Sequence, residues 1–246
     1  MFISTKYLVT KYGVDDTIAR FFVDREPPAN NLYWHEKLLY LRPAPGYLFI
    51  PLIVDLLYKL GLDKGKLLSE EFISTMEGIG HVSALEEIKK ISAEEAIRKC
   101  EELVKEVSVN ALWLNSVSEY FEGKKDNIFN RLATPFKSLH RGDVFLFSLS
   151  ALDFSPSLFE RIAEQWFAII SALLLLDDAE DIESDKETGD ENAYIESGLH
   201  AEGIGRIAGL VKQDVEKIAT VNPVMAAELD AQHKNLLDKH GFLNTK

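Results

Sequence analysis

The strongest constraint on how this chain folds is a junction inside WFAIISALLLLDDAEDIESDKETGDE, residues 166–191. Phe167 to Leu176 is apolar except for Ser171, and Asp177 to Glu191 then carries nine carboxylates and one cation, Lys186. Ten apolar residues are too few to cross a bilayer, which takes about 20. They fit a helix buried on all sides in a protein core, with Asp177, Asp178 and Asp181 carried out of the core at its C-terminal end. Asp177, Asp181 and Asp185 recur at i, i+4 and i+8, on one helical face. Negative charge at a helix C-terminus is opposed by the macrodipole, and like charges one turn apart repel. A divalent cation removes both penalties, and Mg²⁺ takes carboxylate oxygens while keeping several waters. The competing reading is a solvated acidic helix end running into a loop.

The rest of the chain reads as helices. Residues 3–24 form one or two short ones, ended by Pro27-Pro28 and Asn30-Asn31. Leu32 to Leu41 is another, and Tyr47 to Leu60 is a strongly apolar helix stopped by Gly61. Leu67 to Gly78 is helical, and Gly78-Ile-Gly80 reads either as a break or as glycines inside a buried helix. Ser92 and Glu95 make an S-x-x-E capping box that opens a long amphipathic segment to about Phe121, closed by Gly123. Asp126 to Leu152 follows, with a kink or break at Pro135. Ser155-Pro156 and Ser157-x-x-Glu160 both start the helix that runs to about Ser184. Ala193 to Ala219 and Pro223 to His240 are the last two helices. Alternating strand patterns with hairpin turns are missing, so the expected architecture is an all-α, single-domain bundle of eight to ten helices over residues 1–246.

Composition narrows function. A net charge of −13 argues against a general nucleic-acid binder, which needs a basic face. The single cysteine, Cys100, excludes an internal disulfide framework and a cysteine-rich zinc site. The N-terminal residues MFISTKYLVTKYG lack a charged region followed by a long apolar run, so no signal peptide is expected and the expected location is cytoplasmic. No transmembrane segment is expected.

Two carboxylate motifs fail. An EF-hand loop started at Asp181 puts Lys186 where glycine belongs and Asn192 where glutamate belongs. A di-iron bundle needs Glu-x-x-His pairs, and the sequence has none. What remains is D-D-x-x-D, Asp177-Asp178-Ala179-Glu180-Asp181, at the end of a buried helix. With Lys137-Ser138 forty residues upstream, Arg42-Pro43 opening the apolar helix LRPAPGYLFIPLIVDLLYKLG, and the small-residue helix GLHAEGIGRIAGLVKQDVEKIA downstream, the chain resembles the trans-prenyltransferases of the class I isoprenoid synthase superfamily. The resemblance covers roughly residues 36–240. Between Arg42 and Lys137 the chain has no DDxxD, and the nearest stand-ins for a first aspartate-rich motif are Glu77 and Glu86-Glu87.

This resemblance implies an isoprenoid-synthase-like bundle. It implies a Mg²⁺-dependent enzyme that binds and ionises an allylic prenyl diphosphate, in prenyl transfer or terpene formation. Asp177, Asp178 and Asp181 are the implied metal ligands, and Arg42, Lys137 and Arg141 the implied diphosphate-binding residues. Tyr47, Phe49, Phe145, Phe147, Trp166 and Phe167 are the implied cavity lining. A prenyl diphosphate is the implied small-molecule partner, and a homodimer is compatible. The alternative is a catalytically degenerate protein of the same fold acting as a lipid-binding or partner subunit.

Overall fold

The computed structural model describes residues 3–26, 28, 30–32 and 45–242, with backbone alone at 45–47. Arg42, the side chain of Tyr47 and nearly all of the expected helix 32–41 lie outside the described residues. Helices make up the described chain, with no strand among them. In order they are α1 Thr5–Tyr12, α2 Asp16–Asp24, α3 Pro45–Lys59, α4 Lys64–Leu67, α5 Glu70–Glu87, α6 Ala93–Lys105, α7 Ala111–Phe121 and α8 Ile128–Leu132. A 3-10 segment, Lys137–Ala151, follows, then α9 Pro156–Thr188, α10 Ala193–Glu196, α11 Ala201–Ala219 and α12 Pro223–Lys239. The architecture is the all-α single-domain bundle expected, but with thirteen helical elements among the described residues rather than eight to ten.

The extra elements come from breaks that carry weak local signals. The segment expected to run from Ser92 to Phe121 divides into α6 and α7. Between them Val109 and Asn110 turn their N–H groups to the carbonyl of Ser150, at 2.9 and 3.0 Å, and Asn110 caps α7 by accepting from Trp113 N at 3.0 Å. Ala193 to Ala219 divides at Ser197–His200, where Gly198 has φ +88° and Leu199 φ +55°. Conversely, α5 runs straight through Gly78-Ile-Gly80, the second of the two readings, with glycines inside a helix. The stretch after Pro135 is 3-10 over fifteen residues, far longer than the usual three or four.

The central element is α9, 33 residues and so about 50 Å long. Ser155 precedes Pro156 at its first turn, and Gly189 ends it at φ +77° with its N–H on the carbonyl of Asp185. Phe167 to Leu176 is buried throughout except for half-buried Leu174, as its apolar character requires. Around α9 pack α3, α11, α12 and the 3-10 segment. In α3, Asp55 is fully buried and joins three parts of the chain: it accepts from Asp15 N at 2.8 Å and Asn222 Nδ2 at 3.0 Å, and pairs with Lys59. Phe49, Phe145, Phe147, Trp166 and Phe167 are at most 4% exposed. Phe49 meets Phe145 and Trp166 edge-on at 5.3 and 5.1 Å. Phe147 stacks on Phe121 at 5.3 Å and Phe167 meets Tyr120 and Phe129 at 6.4 and 6.2 Å, so all five rings fill the main core.

A second, smaller core lies at the acidic end of α9. Leu175, Ala179 and Ile182 share one face and pack against Ala193 and Tyr194 of α10 and Ile204, Ile207 and Val211 of α11. That core, together with the main one, fixes which acids of the run face solvent.

Candidate functional site

Adjacent helical residues are about 100° apart, so the two aspartates of the DD pair have different surroundings. Asp178 shares the inner face with Leu175 and Ile182 and is 1% exposed. Its Oδ1 accepts from Arg141 Nη2 at 2.6 Å and its Oδ2 from the N–H of Ala193 at 2.7 Å. Asn192 adds a bond to the Asp178 carbonyl at 2.7 Å and another to Asp185 Oδ2 at 2.8 Å. Asp177 points outward, its side chain 44% exposed, 3.5 Å from Arg141 Nη2. Burial, against the pull of Arg141 and with the charges of Asp178 and Asp181 adding to it, pushes the Asp177 carboxyl up to about 6. Burial likewise raises that of Asp178, against the opposing effect of Arg141. Asp181 is exposed and stands one turn beyond Asp177 on the same face.

Arg141 stands in the second turn of the 3-10 segment, its side chain 29% exposed. Besides the two aspartates it donates to the carbonyl of Ser138 at 2.8 Å. It thus stands beside both aspartates of the DD pair. Lys137 has an exposed side chain at the start of the same segment. Its backbone N–H donates to Glu196 Oε1 at 2.9 Å, while Ser138 gives its N–H and hydroxyl to Glu196 Oε2 at 3.0 and 2.9 Å.

The stand-ins for a first acidic motif divide. Glu77 is buried and held by Arg25, with Nη2 2.8 Å from Oε2. Glu86, near the end of α5, is half-buried. Burial first, then the charges of Glu191 and Glu87, raise its carboxyl above the usual range, so acids from the ends of α5 and of the α9–α10 connection reach one another electrostatically.

Among the described residues no group of three or more His, Cys, Asp or Glu side chains is gathered to hold a metal ion. Asp178 is excluded as a ready ligand because both its oxygens are bonded within the protein. Asp177 and Asp181 nevertheless fit Mg²⁺, which is commonly bound through one or two carboxylates, waters and substrate phosphates rather than by an all-protein cage. Their carboxylates are the hard oxygen donors this ion takes, and neither is sequestered from solvent.

Several residues that matter here carry no motif. Asn192 is visible in the sequence only as a helix cap before Ala193. Glu196 has no local signal, because its partners lie 58 and 59 positions away. Two further buried acids stand apart from the site. Asp143 accepts from Tyr120 at 2.6 Å and is pushed up to about 7 by burial. Asp214, 2% exposed, is raised to about 7 by the same cause. No helix among the described residues is long and apolar enough to cross a membrane. No family model matches the chain, and neither a curated protein nor a solved structure does.

Proposed function

We propose that the protein is an isoprenoid-synthase-like enzyme that binds an allylic prenyl diphosphate with Mg²⁺ at the C-terminal end of α9, for prenyl transfer or terpene formation. The observation that carries this reading is the juxtaposition of Asp177 with Arg141, 3.5 Å apart, beside Asp181 where the buried stretch 167–176 of α9 ends. A Mg²⁺ held by Asp177 and Asp181 supplies charge neutralisation for a leaving diphosphate. Arg141 offers the planar donor fork suited to phosphate oxygens. Lys137, four residues earlier, adds a mobile positive charge, and Arg42 is assigned to the same diphosphate. The reading brings with it a homodimer, testable by sedimentation, and a cytoplasmic location.

One observation favours the alternative, a catalytically degenerate lipid-binding or partner subunit. The side chain directly opposite Asp177 and Asp178 is basic, and Glu77 is bonded to Arg25 instead of facing them. A carboxylate cluster on one side alone holds a diphosphate less firmly than two facing clusters. The experiment is incubation with a labelled allylic prenyl diphosphate, with and without Mg²⁺, scoring retention and pyrophosphate release separately. Mg²⁺-dependent retention with release supports the enzyme. Retention without release supports the alternative. No retention removes both.

A further inference from the structure

The connection between α9 and α11, residues 189–200, is tied by hydrogen bonds to groups of the proposed site, and its Ala193 and Tyr194 pack in the smaller core, Tyr194 stacking on Phe242 at 6.0 Å. Asn192 and Ala193 clasp Asp178 and Asp185. Glu196 closes on the first turn of the 3-10 segment through three hydrogen bonds of 2.9–3.0 Å. The carbonyl of Ser197 lies against Gly203 of α11 so closely that a Cβ there would sit 2.2 Å from it.

The docked connection also carries two unfavourable features that release would relieve. Tyr194 is fully buried, yet its hydroxyl has no hydrogen-bond partner, a loss that water would make good. Leu199 is held at φ +55°, a left-handed conformation that disfavours a residue with a Cβ. Release of this element exchanges the burial of Ala193 and Tyr194 and its polar contacts for relief of these two features. Gly189 at φ +77° and Gly198 at φ +88° bound it at either end, where large backbone changes are most easily absorbed.

We propose that residues 189–200 form a releasable strap that sets how many carboxylates α9 offers. This rests on the reading of the α9 end as a Mg²⁺–diphosphate site. Docked, the strap keeps Asp178 Oδ2 on the Ala193 N–H, and of the three DDxxD aspartates Asp177 and Asp181 alone face outward. Released, it frees that oxygen to join them. Glu196 is the latch: it touches neither Asp177 nor Asp181, and its release unties the strap from the 3-10 segment that carries Arg141. A ligand that gains from the third carboxylate favours the released state, and by linkage an unlatched strap favours the ligand.

Two substitutions unlatch the strap by different routes. Glu196→Gln replaces a carboxylate that accepts three hydrogen bonds by an amide that presents N–H to N–H. Gly203→Ala drives a methyl into the Ser197 carbonyl. Amide hydrogen exchange over residues 190–199 and calorimetric titration with MgCl₂ plus inorganic pyrophosphate are read on each, beside wild type and Asp177→Asn/Asp181→Asn. Both strap variants are expected to exchange at least about tenfold faster over 190–199, with residues 167–176 unchanged, and to bind Mg²⁺–pyrophosphate several-fold more tightly. The double aspartate variant is expected to lose binding while its strap exchanges as in wild type. Unchanged exchange in both strap variants overturns the proposal, as does faster exchange with affinity equal to or weaker than wild type. In those cases loss of binding in the double aspartate variant shows that the site reading survives. Absence of binding in every protein removes the site reading together with the strap's coupling to it.

Discussion

Arg141→Met is the most informative single substitution, because it keeps the apolar stem and deletes only the guanidinium. It leaves Asp178, 1% exposed, with the Ala193 N–H as its one remaining side-chain partner. Breaking a fully buried ion pair from one side costs about 3–5 kcal/mol. Arg141 is 29% exposed, so water partly compensates and brings the cost to the bottom of that range or below it, about 2–3 kcal/mol. Set against a domain stability of about 5–15 kcal/mol, the variant stays folded and the deficit is measurable by urea unfolding. Asp178→Asn keeps an acceptor for Ala193 while removing the charge. The double variant should therefore lose less than the sum of the singles, by at least about 1 kcal/mol. The sign with pH is fixed. The folded-state proton affinity of Asp178 is already raised by burial and rises further without Arg141. A group raised in this way is least destabilising at low pH and most destabilising once it ionises, so the Arg141→Met deficit should shrink on acidification from neutral pH. A deficit below about 0.5 kcal/mol, insensitive to pH and additive with Asp178→Asn, would refute the assignment of this pair as a buried structural contact.

Two other outcomes follow from the packing. Asp143 and Asp214, each raised to about 7 by burial, keep their protons in the folded state at pH values where the unfolded chain has lost them. These two groups should therefore lower wild-type stability as pH rises from about 4 to 7, with no further loss above that, and Asp214→Asn should flatten the slope and stabilise at pH 8 by on the order of 4 kcal/mol, read from urea midpoints across pH. Gly142 of the 3-10 segment meets α9 where a Cβ would fall 2.7 Å from two carbons of Ile170. Gly142→Ala should cost about 1–3 kcal/mol by overpacking, and adding Ile170→Val should recover part of that loss in the same assay.

The elements that sequence reading places well are those whose ends are chemically marked. Ser92 caps α6 by accepting from Glu95 N, Pro156 and Pro223 open α9 and α12, and Gly189 closes α9. Burial of 167–176 follows from its apolar character alone. What the sequence hides depends on contacts distant along the chain. Gly78 and Gly80 continue α5 instead of breaking it, because α5 is packed between α6 and the 3-10 segment. The 105–111 break is stabilised by the Ser150 carbonyl, about forty residues away. The site was legible in the same partial way. DDxxD spacing brings Asp177 and Asp181 to one outward face, and the 100° step between neighbours sends Asp178 inward. Its partners Arg141 and Ala193, and the Glu196 latch, belong to tertiary structure.

The central claim is that Asp177 and Asp181 hold Mg²⁺ against a prenyl diphosphate. It is tested most directly by thermal melts of wild type and Asp177→Asn/Asp181→Asn, each alone, with Mg²⁺, and with Mg²⁺ plus a prenyl diphosphate. A ligand that binds only the folded state stabilises by about 2.7 kcal/mol at a hundredfold excess over its Kd. Wild type should therefore melt higher with Mg²⁺ and higher still with both, while the double variant shows neither shift. Equal shifts in the two proteins would contradict the account and leave the acidic end of α9 a solvated helix terminus.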